Sequence, residues 1–260
     1  MRKWIFAFLL IPLLLFASCR STEKESEELP LPLDYPHLVY GLPSVEDTIL
    51  PRRGFALGYS NKYRQALWVC YVLRDEDILK PKVKRRNRFR ADPAIRFRPV
   101  QPRDYTRTGY DRGHLAPAAD MLYSVETMTH SFYMSNISPQ IPGCNRGIWK
   151  RLETAVRKWA LQEKTLYIIT GPIFKDDAKQ MGKTDIPVPY AFYKVIFDLT
   201  PPYKMIGFVI PNEPSWRRLH SFAVSVEAVE ELTGNDFFFV LDDGLENQLE
   251  ASVEPALWGL

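Results

Sequence analysis

The chain reads as an α+β protein with a central, mostly antiparallel sheet flanked by helices. Three observations predict this. Strand-like runs follow one another without a helix between them at residues 190–198 and 204–210, which fits an antiparallel sheet better than a doubly wound one. Two segments, 124–133 and 148–162, carry apolar residues at helical spacing. The 21 prolines are spread along all 260 residues, which favours short elements joined by defined loops. With 46% hydrophobic residues the chain can bury one substantial core, or at most two small ones.

Residues 65–74 are β-branched, aromatic and bounded by charge, the composition of a strand. Residues 124–133 open on the capping residue Ser124 and put Val125, Met128 and Phe132 at helical spacing. Residues 148–162 place Trp149, Leu152, Val156 and Trp159 on one face, with Arg146, Lys150, Glu153 and Arg157 as the adjacent polar stripe. Residues 165–170 form a second strand closed by Gly171-Pro172. Residues 190–198 and 204–210 form a hairpin around Leu199-Thr200-Pro201-Pro202. A helix over 225–232 ends at Gly234, and residues 237–241 make a late strand.

The first residues are expected to stand outside the fold. Arg2 and Lys3 precede an apolar run from Trp4 to Phe16, too short to span a bilayer comfortably. Residues 1–18 therefore read as a secretion signal. Phe16-Ala17-Ser18-Cys19 resembles a lipobox, with Cys19 as the lipidated residue of an exported, membrane-anchored lipoprotein of a bacterial cell envelope. An ordinary signal peptide with a chance cysteine is the alternative. Residues 19–32 are polar, acidic and then proline-rich, a tether. The domain proper spans 33–260. Cys70 and Cys144 remain, either as a pair or as two buried free thiols. There is no CxxC pair to support a zinc site.

Net charge is +3 for the precursor. Its distribution says more. Residues 84–112 hold ten Lys/Arg against three acids, whereas the chain from Leu219 onward holds nine acids and no Lys/Arg. A basic stretch of this kind grips a polyanion, or is a solvated loop balanced by neighbouring acids. No GxSxG elbow and no Walker loop is present.

Four blocks follow the basic stretch in order: Asp111-Arg112-Gly113-His114; Ser135-Asn136-Ile137-Ser138-Pro139-Gln140; Asn145-Arg146-Gly147-Ile148-Trp149; and Leu152-Glu153 with Arg157. They supply one imidazole, two amides, a carboxylate and several guanidiniums. Metal-assisted hydrolysis of a phosphodiester needs such a set: a base for water, a cation site, and positive charge for the phosphoryl oxygens.

From Trp68 to Phe208 the chain resembles the DNA/RNA non-specific endonuclease family, the ββα-metal or His-Me finger nucleases. The resemblance implies two strands carrying the Asp-Arg-Gly-His block, then a helix carrying Asn145 and Glu153. It implies His114 as general base and Asn145 as the only direct protein ligand of a magnesium ion, with manganese or another divalent ion as the alternative. Glu153 and Arg157 carry over from the same helix. A second arginine is expected just upstream of a Phe and an Asp-Pro, with Arg86 chosen first and Arg88 second. The implied activity is cleavage of DNA and RNA to 5′-phosphate and 3′-hydroxyl ends.

The residues fit those roles physically. A neutral imidazole takes a proton from water near neutral pH. A single neutral amide ligand leaves the ion's charge free to act on substrate, since magnesium keeps most of its waters. Glu153 would hold metal-bound waters from outside the coordination sphere. Backbone contacts carry no base information, hence little sequence preference. Plainer roles are expected elsewhere: Asn136 fixes the loop or the metal's surroundings, Asp111 and Arg112 pair as a buried ion pair, and Gly113 allows close approach or positive φ. His37, His130 and His220 have no motif around them. Two other functions stay open: a nuclease fold that binds nucleic acid without cutting it, and a phosphodiesterase for small diesters.

Overall fold

Alternation along one strand builds both cores. In β3 (Gln65–Arg74), Val69, Tyr71 and Leu73 enter one core while Trp68, Cys70 and Val72 enter the other. A strand covered on both faces has no side to leave polar, which is why residues 65–74 read as continuously apolar. The computed structural model describes residues 35–260. The signal segment 1–18, Cys19 and the tether to residue 32 lie outside the described residues.

Around β3 lies a seven-stranded sheet in the order β1-β2-β3-β6-β7-β8-β9, antiparallel at every pair. Its members are β1 (Thr48–Pro51), β2 (Ala56–Ser60), β3, β6 (Thr165–Ile173), β7 (Ala191–Asp198), β8 (Lys204–Pro211) and β9 (Ala223–Val224). The short helix α1 (Asp75–Leu79) follows β3. A separate ribbon pairs β4 (Asp111–His114) with β5 (Ile137–Gln140). Between them runs α2 (Val125–Ser131), capped by Ser124, whose Oγ accepts from Thr127 N at 3.0 Å.

The principal helix, α3 (Lys150–Glu163), buries Leu152, Val156, Trp159 and Ala160 against the first core, with Trp149 just ahead of it. The helices α4 (Val226–Thr233) and α5 (Asp243–Ala251) supply Val226, Val229 and Leu249 to the opposite core. The acidic C-terminal helices therefore lie across the sheet from α3. Ser225 caps α4 by accepting from Ala228 N, and Gly234 ends it in the left-handed region at φ 69°.

Several expectations are corrected. Residues 237–241 are not a strand: Phe237 and Phe238 bury their rings in the second core, and β9 takes the edge of β8 instead. Gly171-Pro172 does not close β6, because both residues stay paired, with Tyr193 and Phe192. A Cβ at Gly171 would run into the Leu67 carbonyl, so this glycine marks close approach. Val125 is 59% exposed while Met128 and Phe132 are buried. Cys70 and Cys144 are both free and buried. Burial pushes both thiols up, away from reactive thiolate. Among the described residues no helix is long and apolar enough to cross a membrane.

Candidate active site

Two strands and a helix bring the four blocks together. Pairing of β4 with β5 sets Asp111 opposite Gln140 and His114 opposite Ile137. The Gln140 side chain crosses β4 where a Cβ at Gly113 would stand, so Gly113 is required by close approach. Asn136 is fully buried. Its Oδ1 accepts from Ala116 N at 2.9 Å, and its Nδ2 donates to the carbonyls of Ala116 and Ser131. Asn136 thus locks the chain just after His114 and fixes the loop rather than lining the pocket.

Ahead of α3 the backbone makes a wide π-type turn, Cys144–Trp149, interrupted at Gly147 (φ −105°, ψ −108°). Such π-type turns are rare and occur frequently at functional sites. Asn145 sits here, and Glu153 follows on α3 itself.

An open pocket of about 450 Å³ is lined by Arg85, Arg112, His114, Asn145, Arg146, Lys150, Glu153 and Arg157, with Pro117, Ala118 and Ala119 completing its wall. Five cationic side chains face one carboxylate, the balance that suits a polyanion. Among the described residues no group of three or more His, Cys, Asp or Glu is placed to hold a metal ion.

Each side chain has a definite anchor. The His114 ring packs against Phe132 (centroids 4.9 Å apart, near-perpendicular) and Phe89 (5.4 Å). Its Nε2 is buried without a hydrogen-bond partner, so aromatic packing orients the imidazole. Burial, then the charge of Arg85, pushes its pKa down to about 3. Asn145 Nδ2 donates to Asp111 Oδ2 at 2.8 Å. Burial works to raise the Asp111 carboxyl, but bonds from Arg146 and Asn145 outweigh it and hold it below its ordinary range. Arg157 donates to Asp120 Oδ1 at 2.9 Å. Burial, then the neighbouring Asp120, pushes the Glu153 carboxyl up.

Two further expectations change. Asp111 does not pair with Arg112. Successive residues on a strand point to opposite faces; Asp111 instead takes Arg146 in a bidentate pair at 2.6 and 2.7 Å. Arg112 donates to the Pro102 carbonyl at 2.6 Å and lies over the rings of Phe89 and Tyr105. The upstream arginine that reaches the pocket is Arg85, not Arg86 or Arg88. Arg85 stands over the Phe132 ring and is steadied by Asn87; in a run of four arginines within six residues only the packed loop selects one. Asp120, Tyr71 and Lys194 behind the pocket had no motif to mark them.

A β-ribbon and helix presenting His, Asn and Glu into a cationic pocket define a ββα-metal nuclease. The chain belongs to the DNA/RNA non-specific endonuclease family, whose model matches residues 35–244. It is similar to a nuclease of Nostoc sp., 32% identical over 243 residues covering 84% of this chain and 86% of that protein. Mitochondrial endonuclease G of Homo sapiens is 32% identical over 210 residues, covering 75% and 70%. Among solved structures, the crystal structure of the EndoG/EndoGI complex superposes with a TM-score of 0.72 at 31% identity, covering 79% of this chain and 91% of that one. The enzyme is a nuclease acting on nucleic acid with the family's broad specificity.

Proposed function

We propose that this nuclease cuts DNA and RNA by water attack on phosphorus, with His114 as the general base and Asn145 as the protein ligand of a divalent cation. The observation that carries the reading is the convergence of His114, Asn145, Glu153 and Arg157 on one pocket. His114 holds a neutral imidazole, because burial keeps it from protonating. An anionic phosphate in the pocket acts in the opposite sense and raises its basicity. Arg157, fixed by Asp120, and Arg85 and Arg112 from the upstream segment supply charge to the phosphoryl oxygens.

The donor set fits a hard, mostly hydrated cation, and magnesium is the ion we favour. The Asp111 carboxylate can only accept, so the Asn145 amide presents its nitrogen there and leaves Oδ1 as the donor for the ion. Glu153 lines the same pocket, and in this reading it accepts hydrogen bonds from the ion's waters. When bound, the ion would add positive charge at the phosphate and the leaving oxygen. Products with 5′-phosphate ends follow from the same reading.

The test is an assay on single- and double-stranded DNA and RNA, with and without chelator, using wild type and His114→Ala. Loss of the base should lower the rate by about 10²–10⁴. Full activity of the variant, or of wild type in excess chelator, overturns the proposal.

We further propose export and lipidation at Cys19, supported by the basic start, the short apolar run and the Phe16-Ala17-Ser18-Cys19 sequence. Cys19→Ala should release the protein from the membrane fraction or block its processing. Recovery of wild type as soluble protein with an unmodified N-terminus contradicts this.

A further inference from the structure

Lys194 sits in the middle of β7, on the side that Phe192 and Ile196 turn toward α3. It is fully buried, and its Nζ has no hydrogen-bond partner. The ammonium lies 5.0 Å from the Trp149 ring centroid and 5.8 Å from that of Tyr71. Both rings belong to the site's framework. Trp149 closes the turn that carries Asn145. The Tyr71 hydroxyl donates to Asp120 Oδ2 at 3.1 Å, and Asp120 Oδ1 accepts from Arg157.

A methionine would fill the same space without removing an ammonium from water, so packing alone does not account for a lysine here. Two rings offset part of that penalty. The rest must come from nearby negative charge, and Asp120 and Glu153 are the carboxylates that act on Lys194. With Arg157 the buried group counts two acids and two bases. Arg85 adds a further positive charge toward Glu153 from the pocket.

We propose that Lys194 is a positioning residue of the nuclease site: its buried ammonium balances the Asp120 and Glu153 carboxylates and keeps Glu153 charged toward the pocket. The inference rests on the assignment of Glu153 as an acceptor for the cation's waters. A protonated Glu153 would give up part of that acceptor capacity and present a donor instead. The opposing pulls agree: burial pushes Lys194 down and Glu153 up, while each draws the other back toward its charged form.

The charged and titratable groups around Lys194 are Glu153 and Arg157 from α3, Asp120 from the turn after β4, and Tyr71 from β3. Removing the ammonium leaves two carboxylates against Arg157. Burial already raises both carboxyls, and without the ammonium one of them holds its proton to a still higher pH when folded. Stability from such a group is present in acid and lost as pH rises through the folded value.

The experiment compares Lys194→Met with the double variant Lys194→Met/Asp120→Asn by thermal unfolding across pH, without added metal. Lys194→Met should melt close to wild type at about pH 5 and roughly 6–20 °C lower at about pH 8. The double variant restores the charge balance and should recover most of that loss. In an activity profile, the acid limb of Lys194→Met should move up by about one to two pH units. A melting loss equal at both pH values, no recovery in the double variant, or failure of both variants to fold at any pH overturns the proposal. An unmoved acid limb does so too. The melting readout does not depend on catalysis, so a failed assignment of His114 or Asn145 leaves it interpretable.

Discussion

Asp111 holds Asn145 by one hydrogen bond, Nδ2 to Oδ2 at 2.8 Å, and is itself gripped by the Arg146 guanidinium through both carboxylate oxygens. The first residue of the Asp-Arg-Gly-His block thus fixes which end of an amide faces the pocket. The Asp-Arg-Gly-His block serves the site at both ends, with Asp111 aiming the amide and His114 supplying the imidazole.

Removing that aim should show in cation dependence. Asp111→Ala frees the Asn145 amide to rotate, so the magnesium concentration for half-maximal cleavage should rise about 10–100-fold. Nucleic-acid binding in chelator should change little. Equal weakening of both, in a magnesium titration and a binding titration, would show that Asp111 acts on the fold instead.

The His114 imidazole makes acid stability a second readout. Its folded pKa, about 3, lies below the ordinary histidine value. The unfolded chain therefore binds the extra proton first as pH falls, and stability is lost below the unfolded pKa. Wild type should lose roughly 3 kcal/mol from this residue between about pH 7 and 4. His114→Asn should flatten that part of the curve, measured by denaturant midpoint against pH. His37, also buried and lowered, contributes a slope of the same sign in both proteins.

The opposite sign belongs to the acidic pair on α4 and α5. Burial, then Glu230, raises Glu250 to about 8, and burial raises Glu230 to about 7. Both exceed the ordinary glutamate value, so their contribution is present in acid and is lost as pH rises through those values. Glu250→Gln should be more stable than wild type by roughly 1–2 kcal/mol at about pH 8 and should lose the advantage at about pH 5. A gain that ignores pH would point to helix propensity.

Salt dependence separates the arginines of the basic stretch. Arg85 and Arg112 line the pocket, whereas Arg98 is paired with Asp185. Arg85→Ala should reduce the slope of log affinity against log salt by about 0.7–0.9 for one lost phosphate contact. Arg98→Ala should leave the slope near wild type. The reverse pattern in a binding titration at several ionic strengths would move the polyanion groove to the Arg98 side.

Local sequence determined what depends on short-range periodicity. The continuous apolar run of β3, the Leu152–Val156–Trp159 stripe of α3 with Trp149 just ahead of it, the β7–β8 hairpin and the Ser225 and Gly234 caps of α4 all follow from neighbours within a few residues. The motif blocks likewise singled out His114, Asn145, Glu153 and Arg157, and all four line one pocket. Tertiary structure decided what depends on packing between distant segments. Phe237 and Phe238 have strand-like composition, yet the second core takes them as buried rings because β9 already holds the free edge. Arg85 rather than Arg86 enters the pocket because the Phe132 ring, 47 positions away in the chain, gives it a surface to lie on. Asp111 meets Arg146 and not Arg112 because strand pleating separates neighbours and chain folding joins strangers. Lys194 is the clearest case: a lysine in an apolar strand has meaning only once Asp120, Glu153, Tyr71 and Trp149 are assembled around it, since the energy of a buried charge is set by its surroundings and not by its own sequence.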